Sequence, residues 1–174
     1  MRHVRGVVHL IGLGCLVLCV VLPSAAVADA PQLRRMGWIE KAKIFPPGMV
    51  LNAKLDTGAD HCSLNARDIE RFERGGEEWV RFRVRNRQDE EVEMELRLTR
   101  TARIKRKGRK PQTRPVVRLL VCVKDKYREV DVNLVDRSNF AYPMLIGRSF
   151  LAGTATVDVS KSYTAEPQCD LELP

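Results

Sequence analysis

Short runs in which every second residue is apolar recur through the middle of the chain. Leu51, Ala53 and Leu55 face away from Asn52 and Lys54, and Val80, Phe82 and Val84 alternate with arginines. Val92, Met94, Leu96 and Leu98 oppose Glu93, Glu95 and Arg97, and Val130, Val132 and Leu134 repeat the pattern. A period of two belongs to a strand with one buried face. Strands are predicted over 38–44, 49–55, 79–84, 92–98, 116–123, 127–135 and 154–159, with a short apolar approach over 143–147. The run 116–123 is almost continuously apolar and reads as buried on both faces. Turn signals such as Pro46-Pro47-Gly48 close the runs. A helix is predicted from a Ser63 cap through Phe72, with Ile69 and Phe72 on one side and Gly75-Gly76 as its stop, and a helical turn over 148–152. Many short strands with little helix predict an all-β fold, a small β-barrel with one or two short helices.

The ends bound the rest. Arg2, His3 and Arg5 precede an apolar run over 7–22, then Pro23, Ser24 and the small residues Ala26-Val27-Ala28. That order reads as a secretory signal peptide over 1–28, cleaved after Ala28. The run is short for a membrane span of about 20 residues, and no later segment reaches that length. The expected organisation is a leader, one domain over 29–164 and a flexible acidic tail over 165–174. The expected product is exported, with the bacterial periplasm as its compartment and no membrane span after leader cleavage.

Removing Arg2 and Arg5 takes the formal charge from +8 to +6. The excess gathers between Arg97 and Arg118, around Arg106, Lys107, Gly108, Arg109 and Lys110. A run of this kind reads first as a solvated hairpin, and as a contact for acidic peptide or an anionic polymer second. Export argues against nucleic acid as its partner. Of the five cysteines, Cys15 and Cys19 leave with the leader, so Cys62, Cys122 and Cys169 allow at most one internal disulfide. The pairing stays open, and Cys122 also reads as a small core residue.

Chemistry concentrates at Lys54-Leu55-Asp56-Thr57-Gly58-Ala59-Asp60. An apolar strand delivers an aspartate to a turn that Thr57 and Gly58 can build. Two carboxylates brought together this way share one proton, because both cannot easily ionise. One then activates a water while the other donates to a carbonyl, which is peptide hydrolysis without a metal. Asp-Thr-Gly alone is common at turns. Met144-Leu145-Ile146-Gly147-Arg148 downstream adds a second element.

An apolar strand ending in Asp-Thr-Gly-Ala-Asp, followed later by two apolar residues, Gly, Arg and a short helix, resembles the retropepsin-like aspartic proteases. The match is most similar to the bacterial RimK-associated, RimB-like subgroup named ATP-dependent zinc protease. It runs through Gly37-Trp38-Ile39-Glu40, Ala53 to Ala59, Ser63-Leu64-Asn65-Ala66, Arg137, Pro143 to Arg148, Val157-Asp158 and Ser162-Tyr163. The resemblance implies a retropepsin-like barrel with Asp56 catalytic and Thr57 and Gly58 forming the active-site turn. Ala59, Asp60, Ile146, Gly147 and Arg148 would support that turn, with Asp60 and Arg148 as an ion pair.

One such motif per chain implies a homodimer that joins two Asp56 carboxylates. A flap around Gly108 would carry Arg106, Lys107, Arg109 and Lys110 to substrate. No metal or other cofactor is expected. Catalytic zinc needs three protein ligands, and His61 is the sole histidine beyond the leader. No phosphate-binding loop for ATP is present either. The alternative to an aspartic endopeptidase is an inactive binding module of the cell envelope with the same fold.

Overall fold

A computed structural model describes residues 32–106 and 108–169. The leader expected over 1–28, Lys107, and the last part of the tail, 170–174, lie outside them. Among the described residues, strands β1 (Arg34–Phe45), β2 (Met49–Leu55), β3 (Cys62–Asn65), β4 (Arg67–Arg74), β5 (Glu77–Arg85) and β6 (Glu91–Arg97) occupy the first half. Strands β7 (Arg100–Arg106), β8 (Arg109–Val123), β9 (Lys126–Val135), β10 (Met144–Ile146) and β11 (Ala155–Ser162) follow, with one helical turn, α1 (Arg148–Leu151), before β11.

Eight strands form one sheet in the order β11-β1-β2-β10-β3-β9-β8-β7, and β1 also pairs with β8. That extra pairing, Ala42 to Phe45 against Val123 to Leu120, closes six of the strands into a barrel. The apolar member of each alternating pair points inward, so Ile44, Leu51, Leu55, Val117, Leu119, Leu134 and Ile146 share one core. The described residues are nearly all-β, as the alternation predicts.

Strands β4, β5 and β6 make a separate three-stranded meander. Val80, Phe82, Val84 and Met94 on its inner face join the barrel core. On its outer face Arg81, Arg83 and Arg85 stand opposite Glu95, Glu93 and Glu91 and bond to them. Exposed pairs of this kind each stabilise little. A one-residue slip would expose the whole apolar set, so together the two faces hold the register.

The helix expected from Ser63 to Phe72 does not form. Ser63 and Leu64 are buried in β3, which lies between β9 and β10. The three-residue spacing of Ile69 and Phe72 comes from an irregularity in β4 between Arg67 and Glu70, where Asp68 adopts φ 50°. Gly75 and Gly76, with φ of 62° and 78°, turn a two-residue hairpin between Arg74 and Glu77. Positive φ at both central residues is what such a hairpin requires, so the glycines join strands and do not stop a helix.

The stretch from Ala165 onward, expected to be loose, is tied down as far as Cys169. Cys169 forms a disulfide with Cys122, Gln168 N–H donates to the Lys124 carbonyl, and Glu166 pairs with Lys41. Cys122, Cys169 and Phe45 form a small second core with Leu120 against it. Cys62 stays a free, buried thiol.

Glu40 joins the two ends of the fold. Its carboxylate is fully buried and accepts from Gly37 N–H at 2.6 Å, Thr164 N–H at 2.8 Å and the Thr164 hydroxyl. Gly37 itself lies against β11 so closely that a Cβ would sit 2.5 Å from the Lys161 carbonyl oxygen. Glu40→Gln turns an NH2 group toward a backbone N–H whichever way the amide sits. The expected loss is about 2–3 kcal/mol of stability, read from urea denaturation.

Candidate active site

Strand β2 runs parallel to β10, with Leu55 level with Ile146. Asp56 is the next residue, and its N–H still donates to the Ile146 carbonyl at 2.8 Å. The ladder therefore fixes the Asp56 backbone before the chain turns. Gly58 N–H then donates to Asp56 Oδ1 at 3.0 Å, and Ala59 N–H to the Asp56 carbonyl at 3.3 Å. The carboxylate is half-buried, with one oxygen oriented by the turn that follows it.

The segment after β10 locks this turn from behind. Arg148 N–H donates to the Ala59 carbonyl at 2.8 Å, and Ser149 N–H to the Asp60 carbonyl at 3.0 Å. Arg148 Nη1 reaches the Thr57 carbonyl at 3.0 Å while Nη2 pairs with the Asp60 carboxylate. Gly147 makes the crossing possible, since a Cβ there would lie 2.6 Å from the His61 carbonyl oxygen and 2.9 Å from that of Ala59. Asp56, Thr57, Gly58, Ala59, Asp60, Ile146, Gly147 and Arg148 are thus brought into one bonded unit from two segments far apart in the chain.

His61 is exposed and Cys62 is fully buried, so the two neighbours face different surroundings. Burial pushes the Cys62 thiol up, and its sulfur lies 3.6 Å from Ser149 Oγ. A buried neutral thiol is chemically quiet.

The basic segment is the tip of the β7–β8 hairpin, where Gly108 turns with φ 70° and Lys110 is exposed. Lys107 and the side chains of Arg106 and Arg109 lie outside the described residues. Arg114, at the base of this hairpin, bonds Gln112 and Asn133, and Asn133 in turn donates to the Cys62 carbonyl at 2.7 Å.

Arg137 is the residue that sequence reasoning named without giving it a role. It is 8% exposed and follows β9. Its Nη1 donates to Ser63 Oγ at 2.8 Å and its backbone N–H to Asn65 Oδ1 at 2.6 Å. Burial and the nearby Arg114 charge lower its affinity for its proton, while the Asp56 charge acts in the opposite direction. A guanidinium stays protonated against shifts of this kind. Periodicity gives no signal for it, because a lone arginine after an apolar strand reads as the start of a loop.

A family model described as "RimB-like: Retropepsin-like aspartic endopeptidase RimB" matches residues 35–168. A solved structure of "a protein Lpg0085 with unknown function" from Legionella pneumophila subsp. pneumophila str. Philadelphia 1 is 33% identical. It superposes with a TM-score of 0.64 and covers 75% of this chain and 97% of the other. A Shewanella pealeana protein named "Probable alpha-L-glutamate ligase" is 29% identical over 126 residues, which is 71% of this chain and 28% of that protein. A Desulfotalea psychrophila protein of the same name is 28% identical over 111 residues, 62% of this chain and 24% of its own length. The chain therefore spans about a quarter of the length of these ligase-named relatives.

Proposed function

This chain belongs to the RimB-like family of retropepsin-like aspartic endopeptidases, and from that premise we propose that it hydrolyses peptide or isopeptide bonds with Asp56 as its catalytic carboxylate. The observation that carries the reading is the Asp56 turn, in which a strand-end carboxylate is oriented by Gly58 N–H and braced by Arg148. Each chain supplies one such carboxylate, so the working site is a twofold homodimer with two Asp56 side chains in contact. The pair holds one proton.

The ionised member takes a proton from water, and the resulting nucleophile attacks the substrate carbonyl. The protonated member gives its proton to the carbonyl oxygen. Collapse of the tetrahedral diol breaks the C–N bond, and a proton passes to the departing amine. Asp60 and Arg148 do not enter these steps; they hold the turn in position. The site lies on an exported protein of the bacterial periplasm, delivered there by the leader read over 1–28.

The names of the ligase relatives favour substrates rich in glutamate. They also favour a second reading, because a retropepsin-like module that matches proteins named as ligases would serve as a binding module without turnover. Light scattering on the mature protein, cleaved after Ala28, separates the two through a dilution series. A dimer, formed alone or on adding peptide, is expected; a monomer at every concentration with peptide present would overturn the dimeric peptidase.

A further inference from the structure

The end of β3, the end of β5 and the loop leading from β9 to β10 line an open surface pocket of about 200 Å³. Four arginines line it, Arg67, Arg85, Arg87 and Arg137, and no acidic side chain does. Arg85 is engaged by Asp89 and Glu91, and the Asp136 carboxyl, held low chiefly by its hydrogen bonds with Ser138, also feels the Arg67 charge. Arg87 is exposed and forms no bond within the described residues. The cations are therefore only partly neutralised from within the protein.

Arg137 is the buried member of this lining. Its guanidinium bonds Ser63 Oγ at 2.8 Å and the Tyr142 carbonyl at 3.5 Å, and the Phe140 ring lies 4.4 Å from it. All of these partners are neutral, and the Asp56 carboxylate, whose charge reaches Arg137, forms no bond with it. A guanidinium this deeply buried ordinarily meets a carboxylate, since burial of a charge is costly without an opposite one. The ring packs against the guanidinium, and the bonds from Nε and Nη1 fix its orientation before any ligand arrives. The site also adjoins the reacting group: Ser63 lies opposite Leu145 on β10, and Asp56 follows the strand on the other side of β10.

We propose that this pocket receives a carboxylate of the substrate and thereby sets which bond reaches Asp56. The proposal rests on the peptidase reading for its place beside the scissile bond. It differs from the sequence-based expectation, which put anion recognition on Arg106, Lys107, Arg109 and Lys110. A side-chain carboxylate and the carboxylate at a peptide's C-terminus share the required chemistry. The first would select acidic residues near the cleaved bond, and the second would fix cleavage at a set distance from the chain end.

The test measures binding on Asp56→Asn protein, so it does not depend on turnover. Four fluorescein-labelled hexapeptides would be titrated, carrying one central Glu or Gln and either a free or an amidated C-terminus. The expected result is about tenfold or tighter binding of the carboxylate-bearing form, as for a hydrogen-bonded charge pair. A preference for Glu over Gln identifies the side chain, and a preference for free over amidated ends identifies the terminus. The preference should vanish in Arg67→Ser/Arg87→Ser protein, whose changes lie on exposed positions, and in Arg137→Met protein.

Equal binding of all four peptides, or no binding up to about 1 mM, would overturn the proposal. So would a preference that survives the Arg67→Ser/Arg87→Ser change. Failure of the two readings is distinguishable. If the preference holds and unmodified protein cleaves none of the peptides, the peptidase falls and the pocket stands. If the unmodified protein cleaves all four alike and no binding preference exists, the pocket falls alone.

Discussion

Asp56→Asn is expected to lower peptide hydrolysis by about 10²–10⁴-fold, the range that a positioned general acid or base supplies. The fold should survive, because the side-chain oxygen of the introduced asparagine can still accept from Gly58 N–H as Asp56 Oδ1 does. The backbone bond to Ile146 is untouched by the change. Activity and stability therefore separate in this variant, which is what distinguishes a reacting carboxylate from a turn-building one. A melting temperature within a few degrees of the parent, alongside lost cleavage, is the expected pair of readings. Cleavage that persists would move the chemistry away from Asp56.

Gly147→Ala is expected to do the reverse, damaging the fold first. The added Cβ would have to occupy space 2.6 Å from one backbone oxygen and 2.9 Å from another. Neither oxygen belongs to a flexible side chain, so the two crossing segments must separate. Separation breaks the bonds from Arg148 and Ser149 to Ala59 and Asp60, and loosens the Arg148–Asp60 pair. The expected cost is about 3 kcal/mol or more, the upper range for overpacking against rigid neighbours. Denaturant midpoints measure it, and a change under about 0.5 kcal/mol would show that the crossing is not tight.

These two residues also show what could be read from the sequence and what could not. Asp56 and Gly147 were legible because each sits in a short motif whose residue types have few alternatives at a strand end. The barrel strands were legible for a different reason, since a period of two survives whatever the strands pair with. The segment after Ser63 was not. Ile69 and Phe72 have the spacing of a helix face, and only the positive φ of Asp68 and the hairpin at Gly75 and Gly76 explain how a strand produces it.

Tertiary pairing also decided the cysteines. Three thiols permit several pairings, and the one that forms depends on β8 meeting the end of the chain beside Phe45. The role of Arg137, though not the residue, stayed hidden because its significance is relational. It matters through Ser63, Asn65 and Asp56, residues far upstream in the sequence but adjacent across the barrel. Glu40 is a similar case, a charged residue in an apolar strand that makes sense only once Gly37 and Thr164 surround it.

The central claim is that two Asp56 carboxylates, one from each protomer, form a single reacting pair. Mixing unmodified and Asp56→Asn protein at constant total concentration, after exchange of protomers, tests it most directly. If only dimers with two aspartates turn over, activity follows the square of the unmodified fraction, so an equal mixture retains about one quarter of the full rate. A rate that falls in simple proportion, with about one half left in the equal mixture, would mean each chain acts alone and would contradict the shared site.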